Sequence, residues 1–125
     1  MTSNVTIEDR YRSALTEVRM NSDVLVFDNY PSCCGSCAGS EIEHENPDAD
    51  YVYFINEQGR GLTFKDGKPY HFEDPEDIEP ERPATDVYFS HSTLKAAGIL
   101  RDALVKFGLT VEWNGSDFKC VTLKF

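Results

Sequence analysis

The sequence predicts a single α+β domain spanning residues 1–125, with a mainly antiparallel sheet of about five to seven strands, two longer flanking helices and one short cysteine-bearing helix. Three observations lead there. Residues 7–18 and 94–107 place apolar side chains at helical spacing; the short runs between them are β-branched or aromatic and bounded by turn residues; and Pro31-Ser32 precedes a cysteine cluster as a helix start would. With 125 residues, 40% of them hydrophobic, the chain can bury a core without disulfide staples.

Thr6-Ile7-Glu8-Asp9 reads as a helix start, a capping hydroxyl followed by acids in the first turn. Ile7, Tyr11, Ala14, Leu15 and Val18 then form one apolar face. Asn21-Ser22-Asp23 ends this helix, and Val24-Leu25-Val26-Phe27 is a short apolar run of the kind that makes a buried strand. It delivers the chain to the cysteines. After an acidic connection from Glu41 to Asp50 comes a second strand, Tyr51-Val52-Tyr53-Phe54-Ile55, turned by Gln58-Gly59-Arg60-Gly61 into a third at Leu62.

A three-residue loop at Lys65-Asp66-Gly67 pairs Phe64 with Lys68 and Leu62 with Tyr70, collecting Leu62, Phe64, Tyr70 and Phe72 on one face. The prolines of residues 73–86 exclude a central strand or an unbroken helix, so this segment is expected to be a long surface loop. Asp86-Val87-Tyr88-Phe89 returns to strand, and Ser90 or Ser92 is placed to cap a helix with Leu94, Ala97, Leu100, Leu104 and Phe107 facing inward. Gly108 ends it in a left-handed cap, with Leu109 folding back onto the last turn. A two-residue loop at Asn114-Gly115 then sets Val111 opposite Phe118 and Leu109 opposite Cys120, placing Cys120 on the apolar face and Val121, Leu123 and Phe125 on the other.

Three of the four cysteines fall at Cys33, Cys34 and Cys37. With Ser32 as cap, a helix beginning at Cys33 carries the first two in its opening turn, where the positive end of the helix dipole favours thiolate. Three readings follow. Cys34, Ala38 and Ile42 lie at four-residue spacing and can form one inward stripe, the thiols acting as small apolar groups. Cys34-Gly35-Ser36-Cys37 is a Cys-x-x-Cys at a helix start, the pattern of a redox or nucleophilic site. Cys33, Cys34 and Cys37 also offer three thiolates to zinc, with His44 or Cys120 as a fourth ligand, although adjacent helical side chains diverge by about 100° and do not converge easily on one ion. No other cofactor is indicated. The Lys-Ser/Thr of a phosphate loop is missing after Gly59-Arg60-Gly61, and His44, His71 and His91 stand in no recognisable catalytic spacing, His44 and His71 reading as surface residues near acids.

The formal charge is −10, and no Lys/Arg cluster of the kind that binds nucleic acid is present. Glu73, Asp74, Glu76, Asp77, Glu79 and Glu81 crowd one segment with a single arginine, Arg82. Such a strip is either a solvated loop or a docking site for a protein with a basic surface. No segment approaches the roughly 20 apolar residues of a membrane span, and no signal segment opens the sequence, so a cytoplasmic location is expected.

Cys33-Cys34-x-x-Cys37 with Glu41-Ile42, Tyr51-Val52-Tyr53-Phe54 with Glu57-Gln58, and Gly108-Leu109-x-Val111-x-Trp113-Asn114-Gly115-Ser116 together resemble an uncharacterised domain family of actinobacteria and their phages. The resemblance covers roughly residues 24–125. It implies a cytosolic fold from a bacterial or phage source and transfers no activity. The family's aromatic strand runs into a His-Glu-Gln-Asp-like stretch, whereas here Asn56 precedes Glu57-Gln58 and Gly59 follows. The leading functional expectation is a non-enzymatic protein-interaction module meeting a basic partner, a host protein if the source is viral; the alternative is a thiol-redox or metal-binding protein built on Cys33, Cys34 and Cys37.

Overall fold

The computed structural model describes residues 5–32, 34–57, 59–116 and 119–125. Thr6 opens the first helix, α1 (Ile7–Asn21), through a complete capping box: its hydroxyl accepts the Asp9 N–H at 3.1 Å and the Asp9 carboxylate accepts the Thr6 N–H at 3.2 Å. Tyr11, Ala14, Leu15 and Val18 are buried along one stripe, as the spacing predicts. Strand β1 (Leu25–Tyr30) leads to α2 (Gly35–Glu45) and on to β2 (Tyr51–Ile55), which lies parallel to β1. A β-α-β unit therefore carries the cysteine segment in its first loop.

A hairpin of β3 (Gly61–Lys65) and β4 (Lys68–Phe72) follows, then the two-residue strand β5 (Arg82–Pro83), strand β6 (Asp86–His91), helix α3 (Leu94–Lys106), β7 (Thr110–Glu112) and β8 (Val121–Lys124). The main sheet has five strands in the order β1-β2-β6-β8-β7, antiparallel except for the first pair; β3-β4-β5 form a separate antiparallel sheet. The α+β architecture matches the expectation.

Strand β2 sits between two cores. Val52 and Phe54 face α1 and α3 in the larger one, with Leu15, Val18, Phe89, Leu100, Leu104, Val121 and Leu123. Tyr51, Tyr53 and Ile55 face α2, packing on Ala38 and Ile42. A fully buried strand needs both faces apolar, which is why this one reads Tyr-Val-Tyr-Phe-Ile rather than alternating with polar residues.

Several local expectations are corrected. Helix α2 starts at Gly35 with Cys34 as its cap, not at Cys33 with Ser32 as cap, and it runs eleven residues through Glu45, taking in half of the stretch read as a connection. The β3–β4 loop has two residues, Asp66 and Gly67, both at positive φ (53° and 78°), so Phe64 pairs with Pro69 and Leu62 with His71. Phe72 then lies across from Gly61, whose missing side chain makes room for the ring. Thr93, rather than Ser90 or Ser92, caps α3 by accepting the Ala96 N–H at 3.1 Å, and Leu94 is exposed. At the other end, Gly108 (φ 83°) donates to Val105 O and Leu109 to Leu104 O, the expected left-handed termination.

The largest revision concerns the last two strands. Val111 pairs with Leu123 and Glu112 with Thr122, so Asn114-Gly115 does not close a two-residue turn between them; Phe118, the partner expected for Val111, lies outside the described residues. Val121 and Leu123 are fully buried in the main core, which turns Cys120 to the opposite face of β8. Burying both aliphatic side chains of β8 outweighs the local turn preference of Asn114-Gly115. In the segment read as one loop, Arg82 and Pro83 form an edge strand on β4; proline is tolerated there because an edge strand leaves N–H positions unpaired.

Candidate functional site

Helix α2 begins where parallel strand β1 ends, and its opening turn holds the two described cysteines of the cluster. The Cys34 Sγ accepts the Cys37 N–H at 3.5 Å, taking the place of the usual capping oxygen. Ser32 donates its hydroxyl to the Cys34 carbonyl at 3.2 Å, tying the loop to the cap. Cys34 is half-buried and Cys37 is exposed, whereas Ala38 and Ile42 are buried. The inward stripe therefore consists of Ala38 and Ile42, with Cys34 at its edge and Cys37 outside it. Cys33 lies outside the described residues. No acid occupies the first turn of α2, so no carboxylate of that turn opposes a negative charge at the helix start.

Tyr53 connects this turn to the fourth cysteine. Its hydroxyl donates to the Gly35 carbonyl at 3.0 Å, while Ser90 Oγ lies 3.8 Å from Cys120 Sγ. Burial pushes the Tyr53 hydroxyl above its ordinary value, a hydrogen bond with Ser90 opposes that shift, and negative charge on Cys120 or Cys34 adds to it. Gly39 makes the approach feasible, since a Cβ there would stand 2.7 Å from the Tyr53 hydroxyl. Among the described residues no group of three or more His, Cys, Asp or Glu side chains is placed to hold a metal ion. His44 is exposed in the last turn of α2, at the end away from the thiols.

Two concavities flank the opening of α2. One, of about 240 Å³, includes Gly35, Tyr53, Arg60, His71, Arg82 and Ser90 in its wall. His71 is 8% exposed, contrary to its reading as a surface residue, and its Nδ1 sits 3.0 Å from the Gly61 carbonyl oxygen. The other is an open cleft of about 590 Å³ with Pro31 and Ser32 in its wall alongside Glu57, Glu73, Asp74 and Glu76.

That cleft brings together the two stretches singled out by composition. Glu73, Asp74, Glu76, Asp77, Glu79 and Glu81 are all exposed, and among the described residues Glu73 alone of the six has an ion-pair partner, Arg82. The loop is not featureless: Asp74 Oδ1 accepts the Glu76 N–H at 2.9 Å, and the Glu81 N–H donates to the His71 carbonyl at 2.9 Å. That Tyr53, Arg60 and His71 share one cavity wall escaped the sequence reading because no local pattern links them; they lie on β2, just before β3 and on β4, and only the packing of the two sheets brings them together.

Comparisons with protein-family models, with curated proteins and with solved structures each returned no match.

Proposed function

We propose that this chain carries out thiol–disulfide exchange through Cys34 and Cys37. The observation that carries the reading is the position of Cys34: the N-cap of an eleven-residue helix that joins two parallel strands, with its sulfur accepting the N–H of Cys37. The helix dipole and that N–H both favour the thiolate, the form that attacks. Cys34 thiolate attacks one sulfur of a partner disulfide, forming a mixed disulfide and expelling the partner's other sulfur as thiolate. Cys37 loses its proton to solvent and attacks Cys34 Sγ, leaving a Cys34–Cys37 disulfide and freeing the second partner thiolate. The chain loses two electrons and the partner disulfide gains them; an external dithiol reverses the change.

The test uses a Cys33→Ser, Cys120→Ser background. The alkylation rate of Cys34, mapped by mass, is expected to level off well below the free-thiol value of about 8.5. Treatment with hydroxyethyl disulfide is expected to leave an internal disulfide two hydrogens lighter. Ordinary free-thiol titration by both cysteines, with a mixed disulfide that never resolves, would rule the reading out.

A second reading, an interaction module for a protein with a basic surface, draws on the exposed acids of residues 73–81 and the cleft they share with Pro31 and Ser32. It expects a partner whose capture weakens with salt and is lost when Glu73, Asp74, Glu76, Asp77, Glu79 and Glu81 become their amides. Capture that ignores both changes would count against it.

A further inference from the structure

We infer that the 240 Å³ cavity at the start of α2 binds a small molecule through an oxyanion group, a carboxylate or a phosphoryl group. This is independent of the thiol chemistry, although Gly35, next in the chain to Cys34, forms part of the wall.

Charge selects the ligand class. Arg60 is exposed in the wall, and its guanidinium has no hydrogen bond or ion pair among the described residues. In a chain of net charge −10, acids to pair with it are abundant, yet the local fold leaves this cation open. Arg82 is held beside it by donating to the Gly59 carbonyl at 2.6 Å and pairing with Glu73. The carboxylate in the wall, Asp86, is offset by Lys124 at 2.8 Å and accepts the Tyr88 hydroxyl at 3.2 Å. The first residue of α2 adds the positive end of a helix with no acid in its first turn.

His71 supplies the second, independent observation. The Gly61 carbonyl can only accept, so Nδ1 carries the hydrogen, and in the neutral ring Nε2 keeps a lone pair. Among the described residues nothing bonds Nε2, and protein does not seal it off. The imidazole is 8% exposed and fixed through Nδ1, so its open Nε2 is a positioned acceptor that an occupant of the cavity can reach. A ligand with an oxyanion at Arg60 and a donor group at His71 satisfies both, and the ring of Tyr88, 48% exposed in the same wall, offers a flat body a surface.

The experiment is a titration of the full chain in about 0.15 M salt, where the Debye length is about 8 Å, followed by histidine and backbone NMR. Benzoate and inorganic phosphate are the probes and benzamidine the cationic control. At least one anion is expected to give saturable shifts at the His71 ring and at the Gly35 and Gly59 amides, with Arg60→Ala raising its Kd by about fivefold or more. Which anion saturates distinguishes a carboxylate from a phosphoryl ligand. Arg60 is exposed and unbonded, so this variant is expected to fold; unchanged dispersion of the remaining signals checks it. The inference is overturned if neither anion saturates below about 50 mM, if Arg60→Ala binds as tightly as the parent, or if benzamidine shifts the same signals.

Discussion

Asn29 holds Leu62 with both ends of its side-chain amide: Oδ1 accepts the Leu62 N–H at 2.8 Å and Nδ2 donates to the Leu62 carbonyl at 2.9 Å. The side chain acts as a one-residue strand, joining the edge of the main sheet to β3 of the small one. Asn29 takes a left-handed backbone (φ 55°), and the pairing of β1 with β2 shifts between Phe27 and Tyr30 at this point. The clamp therefore fixes where β1 stops and the thiol loop begins.

Replacing Asn29 separates the two contributions. Asn29→Gly keeps the left-handed backbone but loses two hydrogen bonds, for an expected loss of about 1–3 kcal/mol. Asn29→Ala adds the steric cost of that conformation, about 1–2 kcal/mol more. Urea midpoints measure both, and an alanine variant as stable as the glycine one would show that backbone strain at this site is negligible.

Gly39 and Gly98 predict opposite outcomes for the same substitution. In Gly39→Ala the gain in helix propensity, about 1 kcal/mol, is set against a methyl group placed 2.7 Å from the Tyr53 hydroxyl, an overpacking cost of about 1–3 kcal/mol. The variant is expected to be less stable, and Tyr53→Phe, which removes the offending oxygen, is expected to restore most of the loss. A Cβ at Gly98 meets nothing within 4 Å, so Gly98→Ala is expected to stabilise by about 0.5–1 kcal/mol. Equal effects at both positions would refute the packing explanation.

Tyr11 sets an alkaline limit. Its hydroxyl is pushed well above the ordinary value, first by burial and then by the Asp28 carboxylate, to which it donates at 3.4 Å. A proton held more tightly in the folded chain stabilises that chain fully below the unfolded value of about 10, and the advantage erodes as pH rises from there through the raised folded value. Tyr11→Phe is expected to lower stability at pH 7 by about 1 kcal/mol, the hydrogen bond to Asp28, and to flatten the decline above about pH 10. Parallel declines in both proteins would mean that the remaining buried tyrosines, Tyr51 and Tyr53, dominate.

Two features were legible because their causes are local. The Thr6/Asp9 capping box and the Gly108 termination follow from residues within a turn of each other, and the strand at Tyr51–Ile55 was legible from its aromatic and β-branched run, whereas its burial on both faces was not. The Cys-x-x-Cys at a helix start was visible too, although its cap proved to be Cys34 itself. Register was not legible in the same way. Asp66-Gly67 and Asn114-Gly115 are both good turn dipeptides, yet only the first closes a two-residue hairpin, because Val121 and Leu123 bury completely only when Val111 faces Leu123.

Composition and spacing by themselves determined the α+β class, the two long helices, the thiols at a strand-to-helix junction and the exposed acidic strip. Only the folded chain decided that Cys120 turns from the core, that His71 is buried with Nδ1 held by Gly61, and that Arg60 stands exposed in the same cavity wall. The division has one cause: helix starts, stops and faces arise from neighbours in sequence, whereas the cavity arises from strands far apart in the chain whose alignment is chosen by how the whole core packs.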